Sequence, residues 1–359
     1  MRNTIAVMNT KGGVGKSTIV LALAETLSAY HGKNVLVIDS DSQASASAML
    51  MTIPNLHRLQ QNALTLVDYL VARVLQNRES EWPRFVVRNV SDVDDARSVY
   101  LIPSDMQLTL FEREVSKDSL HGRLRSVIGE LLAEARKVFD VILIDCPPGL
   151  SVLTESWLRE ADYHISPTKA DYVSVCGLEV FRRFKALNPE MGFAENLGVL
   201  VNMKDAMSPT EEDYHSWLRS NPDNRCFEQV VPRAVTMQEA ARFHNPDRSY
   251  LAKYPGQMGK SLRLLAEEVL VRMGHPLGAA PATPPSTTLA GAGHRARHSA
   301  IRVVGPLTHA RRPRRPHANR RARQACRRRT RSSSKCREIG AGDEIRTHDP
   351  HVGNVMLYP

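Results

Sequence analysis

The amino-acid sequence predicts an α/β fold, in which a doubly wound and mostly parallel sheet carries helices on both faces. Short apolar runs that end in polar residues recur along residues 1–274, as is typical of buried parallel strands. Segments with apolar residues at helical spacing separate these runs, and such alternation favours a parallel sheet covered by helices. A glycine-rich loop joins the first run to the first helical segment, which is the arrangement of a P-loop NTPase.

The first apolar run leads directly into this loop. Residues 4–9 are followed by the sequence Lys11-Gly12-Gly13-Val14-Gly15-Lys16-Ser17-Thr18, and a helical segment comes next. Glycine lets backbone N–H groups face inward without a Cβ clash, and these groups bind phosphate at the positive end of the helix. We therefore predict that residues 11–18 bind ATP. Lys16 is expected to reach the β- and γ-phosphates, and the Ser17 hydroxyl to ligate Mg²⁺.

The second apolar run, residues 34–39, ends in Asp39, and Asp41 follows it. Polar residues at this position lie at the carboxyl edge of a parallel sheet, where ligands bind in open α/β folds. Aspartates after a strand also serve as turn and helix-capping residues. Spacing alone leaves both interpretations open, and the neighbouring phosphate-binding loop favours a functional one.

A third polar strand end is predicted near the middle of the chain. The apolar run at 139–145 ends in Asp145 and is followed by two prolines. Before this run, residues 64–75 and 120–137 have the apolar spacing of helices, and residues 98–104 have the pattern of another strand. Many buried strands end in aspartate, but together with the phosphate-binding loop this pattern predicts a carboxylate that holds Mg²⁺, directly or through water.

Further strand and helix patterns complete the predicted domain, residues 1–274. Residues 163–168 precede a helix over 173–187, and residues 197–202 precede a helix over 210–219. A strand over 226–231 leads into Pro232-Arg233, and a core-packing helix covers 258–273. Asn202 ends one of these strands, where turn capping and a functional role are both open interpretations.

The positive charge is confined to the C-terminal tail. The whole chain has a formal net charge of +10, yet residues 1–274 hold 31 Lys and Arg against 34 Asp and Glu. Residues 275–359 hold 17 against 4, and are rich first in Pro and Ala and then in Arg, a composition that predicts disorder. Such a tail is either a basic arm that binds DNA phosphates or a read-through segment without function. We favour the second, because residues 342–350 resemble a phrase common where a reading frame enters a transfer-RNA gene.

The loop with its additional lysine, the Asp39-x-Asp41 pair and the aspartate-x-Pro-Pro turn at residues 145–148 resemble the signature of the ParA/MinD family of dimerising ATPases. The resemblance covers about residues 1–274 and is greatest to ParA partition ATPases. It implies that Lys11 crosses a sandwich dimer to the ATP of the other subunit, although a solvated loop lysine is the simpler interpretation. It also implies that Asp41 orients the attacking water. Ser42 stands where the family usually has proline.

The same resemblance implies that Asn202 hydrogen-bonds adenine and that Pro232 and Arg233 lie near the base. It implies a cytoplasmic, nucleoid-associated enzyme that converts ATP and water to ADP and phosphate with Mg²⁺. Its ATP-bound homodimer would bind non-specific DNA and be released when a ParB-like centromere-binding partner stimulates hydrolysis.

Three alternatives remain open at this point. A MinD-like ATPase that cycles on membranes would need an amphipathic terminal helix. The helix pattern at 258–273 lacks the basic and bulky apolar end that such a helix has, so no membrane association is expected. A metallocluster carrier would need paired cysteines, and the five cysteines include no C-x-x-C pair. A DNA-binding protein acting mainly through its basic tail is the third alternative.

Overall fold

The computed structural model describes residues 2–275. Within them the strands are β1 (Thr4–Val7), β2 (Val35–Asp39), β3 (Val87–Arg88), β4 (Val99–Ile102), β5 (Val141–Asp145), β6 (Tyr163–Thr168), β7 (Glu195–Lys204) and β8 (Val231–Pro232). The α-helices are α1 (Lys16–His31), α2 (Ser45–Leu50), α3 (Ile53–Gln61), α4 (Leu66–Leu70), α5 (Leu108–Val115), α6 (Asp118–Ala135), α7 (Val152–Glu160), α8 (Tyr172–Leu187), α9 (Pro209–Ser220), α10 (Val235–Ala240), α11 (Tyr250–Lys253) and α12 (Gln257–Arg272). The predicted tail lies outside the described residues except for His275, so its disorder and the domain boundary stay predictions.

The strands form one sheet in the order β3-β4-β2-β5-β1-β6-β7-β8. Neighbouring strands are parallel, except that β3 at one edge runs antiparallel to β4. The strand β1 pairs with β5 on one side and with β6 on the other. The strand order therefore reverses beside β1, and ligands bind at such switch points in open α/β sheets. The doubly wound, mostly parallel fold predicted from the sequence is confirmed.

Successive residues of the central strands supply two apolar cores, one on each face of the sheet. In β2, Val35 and Val37 belong to one core, and Leu36 and Ile38 belong to the other. Helices α1 and α12 cover the first core, and α6 and α7 cover the second. Burial of each aliphatic side chain contributes about 1.5–3 kcal/mol, so strands that are apolar on both faces stabilise the layered fold and fix the position of its carboxyl edge.

The helices predicted at 120–137, 173–187 and 210–219 are confirmed as α6, α8 and α9. The helix predicted at 64–75 is present as α4, which a π-helical turn over Val71–Leu75 continues. The sequence pattern does not reveal α2, α3, α5, α7, α10 or α11, each of which has nine residues or fewer and so shows little periodicity. Among the described residues, no helix is both long enough and apolar enough to span a membrane.

The strand predicted over residues 226–231 is wrong for most of its length, because only β8 at its end pairs with β7. The preceding backbone is held by isolated contacts. The amide of Phe227 donates to the carbonyl of Val199 at 2.9 Å, and the guanidinium of Arg272 donates to the carbonyl of Cys226 at 2.8 Å. The polar backbone groups are thus satisfied without a strand ladder, which a short apolar run cannot reveal.

Candidate nucleotide-binding site

Three neighbouring strands bring the predicted site residues to one edge of the sheet. The phosphate-binding loop, residues 11–18, follows the end of β1 and runs into the start of α1, and Asp41 follows the end of β2. In the register of β2 with β5, Asp39 lies opposite Asp145. The charges of Asp145 and Asp41 both act on Lys16. The structure therefore brings the lysine and the carboxylates of three separate sequence motifs together.

The backbone of the phosphate-binding loop adopts a conformation that requires glycine. Gly13 and Gly15 have φ angles of 72° and 84°, in the left-handed region that is costly for other residues. A Cβ added to Gly12 or Gly13 would meet no atom within 4 Å, so the loop faces open space. Helix α1 begins at Lys16, directly after the loop, and the positive end of a helix favours a bound anion.

Two asparagines hold this loop in place. At its start, Asn9 Oδ1 accepts a hydrogen bond from the amide of Lys11 at 2.9 Å, and Asn9 Nδ2 donates to the carbonyl of Pro167 at 2.7 Å. Near its end, Asn202 Nδ2 donates to the carbonyl of Val14 at 2.8 Å. The loop is therefore fastened to β6 and β7 as well as to β1. The sequence pattern does not reveal the contact of Asn9, because a strand-end asparagine has no distinctive spacing.

Asn202 combines turn capping with a close approach to the loop. Its Oδ1 accepts from the amide of Met203 at 2.9 Å, as the capping interpretation predicts. A Cβ on Gly15 would lie 2.4 Å from Asn202 Nδ2, so this glycine also provides the room for the contact. Binding of adenine by Asn202 stays a prediction. The base contacts of Pro232 and Arg233 also stay predictions, and the Arg233 side chain is 60% exposed.

Lys16 is positioned to meet an anion. The residue is buried, and within residues 2–275 its Nζ makes one hydrogen bond, a long one of 3.4 Å to the carbonyl of Lys11. Burial lowers the pKa of Lys16, while the charges of Asp145, Cys146 and Asp41 act in the opposite direction. A buried ammonium group with one long hydrogen bond gains strongly from a phosphate oxygen.

Two fully buried carboxyl groups lie side by side at the ends of β2 and β5. Burial raises the pKa of Asp39 to about 6, although its carboxylate accepts hydrogen bonds from the amide and hydroxyl of Ser47 at 2.8 and 2.7 Å. Burial, and then the charge of Asp39, raise the pKa of Asp145 well above its usual range. A buried carboxylate is costly without compensation, and Lys16 is the cation that acts on Asp145.

Asp145 and Ser17 fit the Mg²⁺ ion that the resemblance implies. Neither carboxylate oxygen of Asp145 has a hydrogen-bond partner of regular geometry among the described residues. The Ser17 hydroxyl lies close enough to lower the pKa of Asp145 in part. Carboxylate and hydroxyl oxygens are ligands that Mg²⁺ prefers, and phosphate and water oxygens usually complete its shell. The donor set and the unpaired carboxylate therefore suit this ion.

Asp41 forms the turn that the capping interpretation predicts. Its Oδ1 accepts from the amide of Gln43 at 2.9 Å, and its carbonyl accepts from the hydroxyl of Ser104 at 2.6 Å. Within residues 2–275, Oδ2 of Asp41 takes part in no hydrogen bond. The turn therefore fixes the carboxylate and leaves one oxygen for water, so both roles are compatible.

Helix α8 supports the signature lysine through a glycine that sequence analysis missed. Thr10 Oγ1 donates to the carbonyl of Gly177 at 2.8 Å. A Cβ on Gly177 would lie 2.8 Å from Lys11 Cγ, so a larger residue there would displace the lysine stem. The available signal was a glycine inside a helical pattern, which often marks close packing.

Comparisons with known proteins identify the family of this chain. A family model described as an AAA domain matches residues 2–191, more than half of the chain. The chromosome partitioning protein ParA of Caulobacter vibrioides is 30% identical over 274 residues, covering 75% of this chain and 94% of that protein. The chromosome-partitioning ATPase Soj of Treponema pallidum is 28% identical over 276 residues, covering 76% of this chain and 99% of that protein.

Solved structures show the same fold. The apo McdA protein of Cyanothece matches with a TM-score of 0.59 and 21% identity, covering 75% of this chain and 100% of that one. Cobyrinic acid a,c-diamide synthase of Mycobacterium smegmatis, with bound ADP and magnesium, matches with a TM-score of 0.55 and 23% identity, covering 74% and 93%. Because proteins with such different names share this fold, these structural similarities support the architecture of the chain and not its activity.

Proposed function

The chain belongs to the ParA/Soj family of partition ATPases, and on that premise we propose that it is a Mg²⁺-dependent ATPase that segregates DNA. It converts ATP and water to ADP and phosphate. Its ATP-bound homodimer binds DNA without regard to sequence. A ParB-like partner on the cargo, a plasmid, a chromosome or an integrated element, stimulates hydrolysis and so releases the dimer from the nucleoid.

The observation that carries the proposal is the buried Asp145 carboxylate beside the phosphate-binding loop, whose oxygens have no regular hydrogen bond among the described residues. When bound with ATP, Mg²⁺ would place a further positive charge beside this carboxylate, in addition to that of Lys16. Asp145 and Ser17 hold the ion, Lys16 binds the β- and γ-phosphates, and the backbone of the loop donates to phosphate oxygens. Asp41 accepts a hydrogen bond from the attacking water and orients it.

A second copy of the chain is the proposed occupant of the carboxyl edge. Apolar side chains that follow the ends of several strands stay exposed there, with exposed fractions of 76% for Met106, 56% for Tyr172 and 88% for Met207. Exposed apolar residues around a polar site are typical of interaction surfaces. Lys11 stands on the same edge, supported by Gly177, so a facing subunit would bring its phosphates within reach of this lysine.

DNA binding should depend on this dimer. Residues 1–274 have a net charge of −3, so a monomer of this part has no overall attraction for DNA. A dimer can align cations of both subunits in one strip, and affinity grows with each phosphate contact. If the basic tail alone bound DNA, the binding would instead be tight and salt-sensitive in the absence of nucleotide.

The test is a DNA titration of the full chain and of residues 1–274, with and without ATP, at two salt concentrations. We expect the truncated protein to bind DNA only with ATP and Lys11→Ala to abolish that binding. Lys117→Ala is the matched control, because Lys117 is an exposed lysine paired with Glu114. Nucleotide-independent binding that disappears with the tail would instead favour the tail-driven alternative. Unchanged binding by Lys11→Ala would contradict the sandwich dimer.

Asp41→Ala should nearly stop hydrolysis while ATP binding and dimerisation persist, because this carboxylate acts on the water and not on the bound nucleotide. Steady-state turnover and ATP affinity separate the two effects. Asp105→Ala is a close control, since Asp105 Oδ1 accepts from the amide of Gln107 at 2.7 Å in an equivalent turn. If both variants turn over ATP equally, Asp41 is only a turn residue.

A further inference from the structure

The end of β7 carries a β-bulge beside the phosphate-binding loop. Asn202 pairs with Val231 and Lys204 pairs with Pro232, so the register shifts between them and Met203 is the extra residue of β7. Met203 has a φ angle of 56°, in the left-handed region that is strained for a residue with a side chain. Bulges and strained residues often lie next to functional sites, where they direct a side chain. The contacts of the neighbouring Asn202 show what this geometry achieves.

The side-chain amide of Asn202 is engaged at both ends. Its Nδ2 donates to the carbonyl of Val14 at 2.8 Å, and its Oδ1 accepts from the amide of Met203 at 2.9 Å. These partners fix the orientation of the side-chain amide, since a carbonyl only accepts and an N–H only donates. Asn202 is also only 3% exposed. A nucleotide base therefore finds little of this side chain to contact.

The contact with Asn202 sets the direction of one peptide group in the loop. The peptide bond between Val14 and Gly15 is trans, so its C=O and N–H groups point in opposite directions. Because the carbonyl of Val14 points to Asn202, the N–H of Gly15 points away from it. Within residues 2–275 this N–H donates no hydrogen bond. An N–H directly before α1 is therefore available to a phosphate oxygen.

Gly15 provides the space for this arrangement. A Cβ on Gly15 would lie 2.4 Å from Asn202 Nδ2 and 3.0 Å from Met203 Cε, so both residues at the bulge pack directly on the glycine. The conformation of the loop is thus matched to the end of β7 as well as to its own sequence. Displacing the Asn202 amide should change how the loop presents its N–H groups.

We propose that Asn202 is a positioning residue for the phosphate-binding loop, which holds the carbonyl of Val14 so that the N–H of Gly15 meets the nucleotide phosphates. The inference rests on the proposed function, because it takes this loop to be the ATP site. It differs from the adenine contact that the family resemblance implies, since a residue that acts through the loop affects every nucleoside triphosphate alike. A base contact would instead depend on the 6-amino group of adenine, which asparagine amides recognise.

The test compares ATP with inosine 5′-triphosphate, which has a carbonyl in place of the 6-amino group, in calorimetric titrations of the full chain with Mg²⁺. In Asn202→Ser the hydroxyl can still accept from the amide of Met203, but it is too short to reach Val14. We expect both nucleotides to bind about tenfold more weakly than to the wild type, with an unchanged ratio of affinities, as loss of a buried hydrogen bond predicts. Asn202→Thr, which fills more of the space, is the second variant and should show the same pattern.

Asn196→Ser is the matched control, because Asn196 lies six residues earlier on β7 and donates to the carbonyl of Asp223 at 2.8 Å. Its affinities for both nucleotides should match the wild type within about twofold. A merely structural role of Asn202 would lower the free energy of unfolding and leave the affinities unchanged, which would overturn the proposal. A loss for ATP alone would also overturn it, because it would assign Asn202 to the base. If the wild type binds neither nucleotide, the proposed function itself fails, and the inference fails with it.

Discussion

Two groups of buried charges in this protein differ in how completely they are neutralised. Lys253 lies 2.8 Å from a carboxylate oxygen of Glu25 on α1 and 2.5 Å from one of Asp92, and all three side chains are fully buried. At the carboxyl edge of the sheet, Asp39 and Asp145 are buried equally well. There the neighbouring cation, Lys16, stands at the mouth of an open loop, and the oxygens of Asp145 have no regular hydrogen bond among the described residues.

Every carboxylate oxygen of the first group has a partner. Tyr254 donates to Glu25 Oε2 at 2.7 Å, and Arg248 donates to Asp92 Oδ2 at 3.0 Å. Lys253 bonds the remaining oxygen of each carboxylate. This closed network joins the segment before α12 to α1. The comparison teaches that burial alone does not distinguish the two groups, whereas the completeness of their hydrogen bonding does.

Removing the cation of the closed network should have the largest effect on stability. Lys253→Met leaves two buried carboxylates without their shared partner, which we expect to lower the free energy of unfolding by about 3–5 kcal/mol. Chemical denaturation of the full chain measures it. Arg97→Gln, in the exposed pair with Asp94, is the control and should change stability by less than about 1 kcal/mol. If Lys253→Met also lowered the free energy of unfolding by less than about 1 kcal/mol, the network would not stabilise the fold.

Removing the cation of the open group should affect binding. Lys16→Ala should weaken ATP binding by about a hundredfold or more, near 3 kcal/mol, because charged hydrogen bonds to two phosphates are lost. Calorimetry with ATP measures the affinity, with Lys117→Ala as the surface control. Near-wild-type affinity would show that the loop is not a nucleotide site.

Neutralising a carboxylate in the open group should have the smallest effect on stability, and the opposite sign. Asp145→Asn should raise the free energy of unfolding of the nucleotide-free protein by about 1–2 kcal/mol at pH 8 and stop Mg²⁺-dependent hydrolysis. The raised pKa of Asp145 means that the unfolded chain ionises first as pH rises, so the folded state loses stability. The gain should therefore shrink toward about pH 3, where Asp145 is largely protonated in both states. Denaturation at the two pH values decides it, and a destabilised variant would contradict the open-charge interpretation.

The sequence by itself determined the fold class and the edge of the sheet at which the predicted site residues meet. Apolar strands that end in polar residues, and the glycine-rich loop at 11–18, are signals contained within a few consecutive residues. Their physical basis is local, because strand burial, helix periodicity and the φ angles of Gly13 and Gly15 depend on neighbouring residues. For this reason Lys16, Asp41 and Asp145 could be assigned to one edge before their contacts were known.

Only the tertiary structure decided which distant groups become partners. The bond between Lys253 and Glu25 spans 228 residues, and the contact of Asn202 with the loop spans 188. Strand order and helix packing create such pairs, and no local pattern encodes them. The same holds for the lack of a hydrogen-bond partner for Asp145 among the described residues, because whether a buried group is satisfied depends on everything that folds around it.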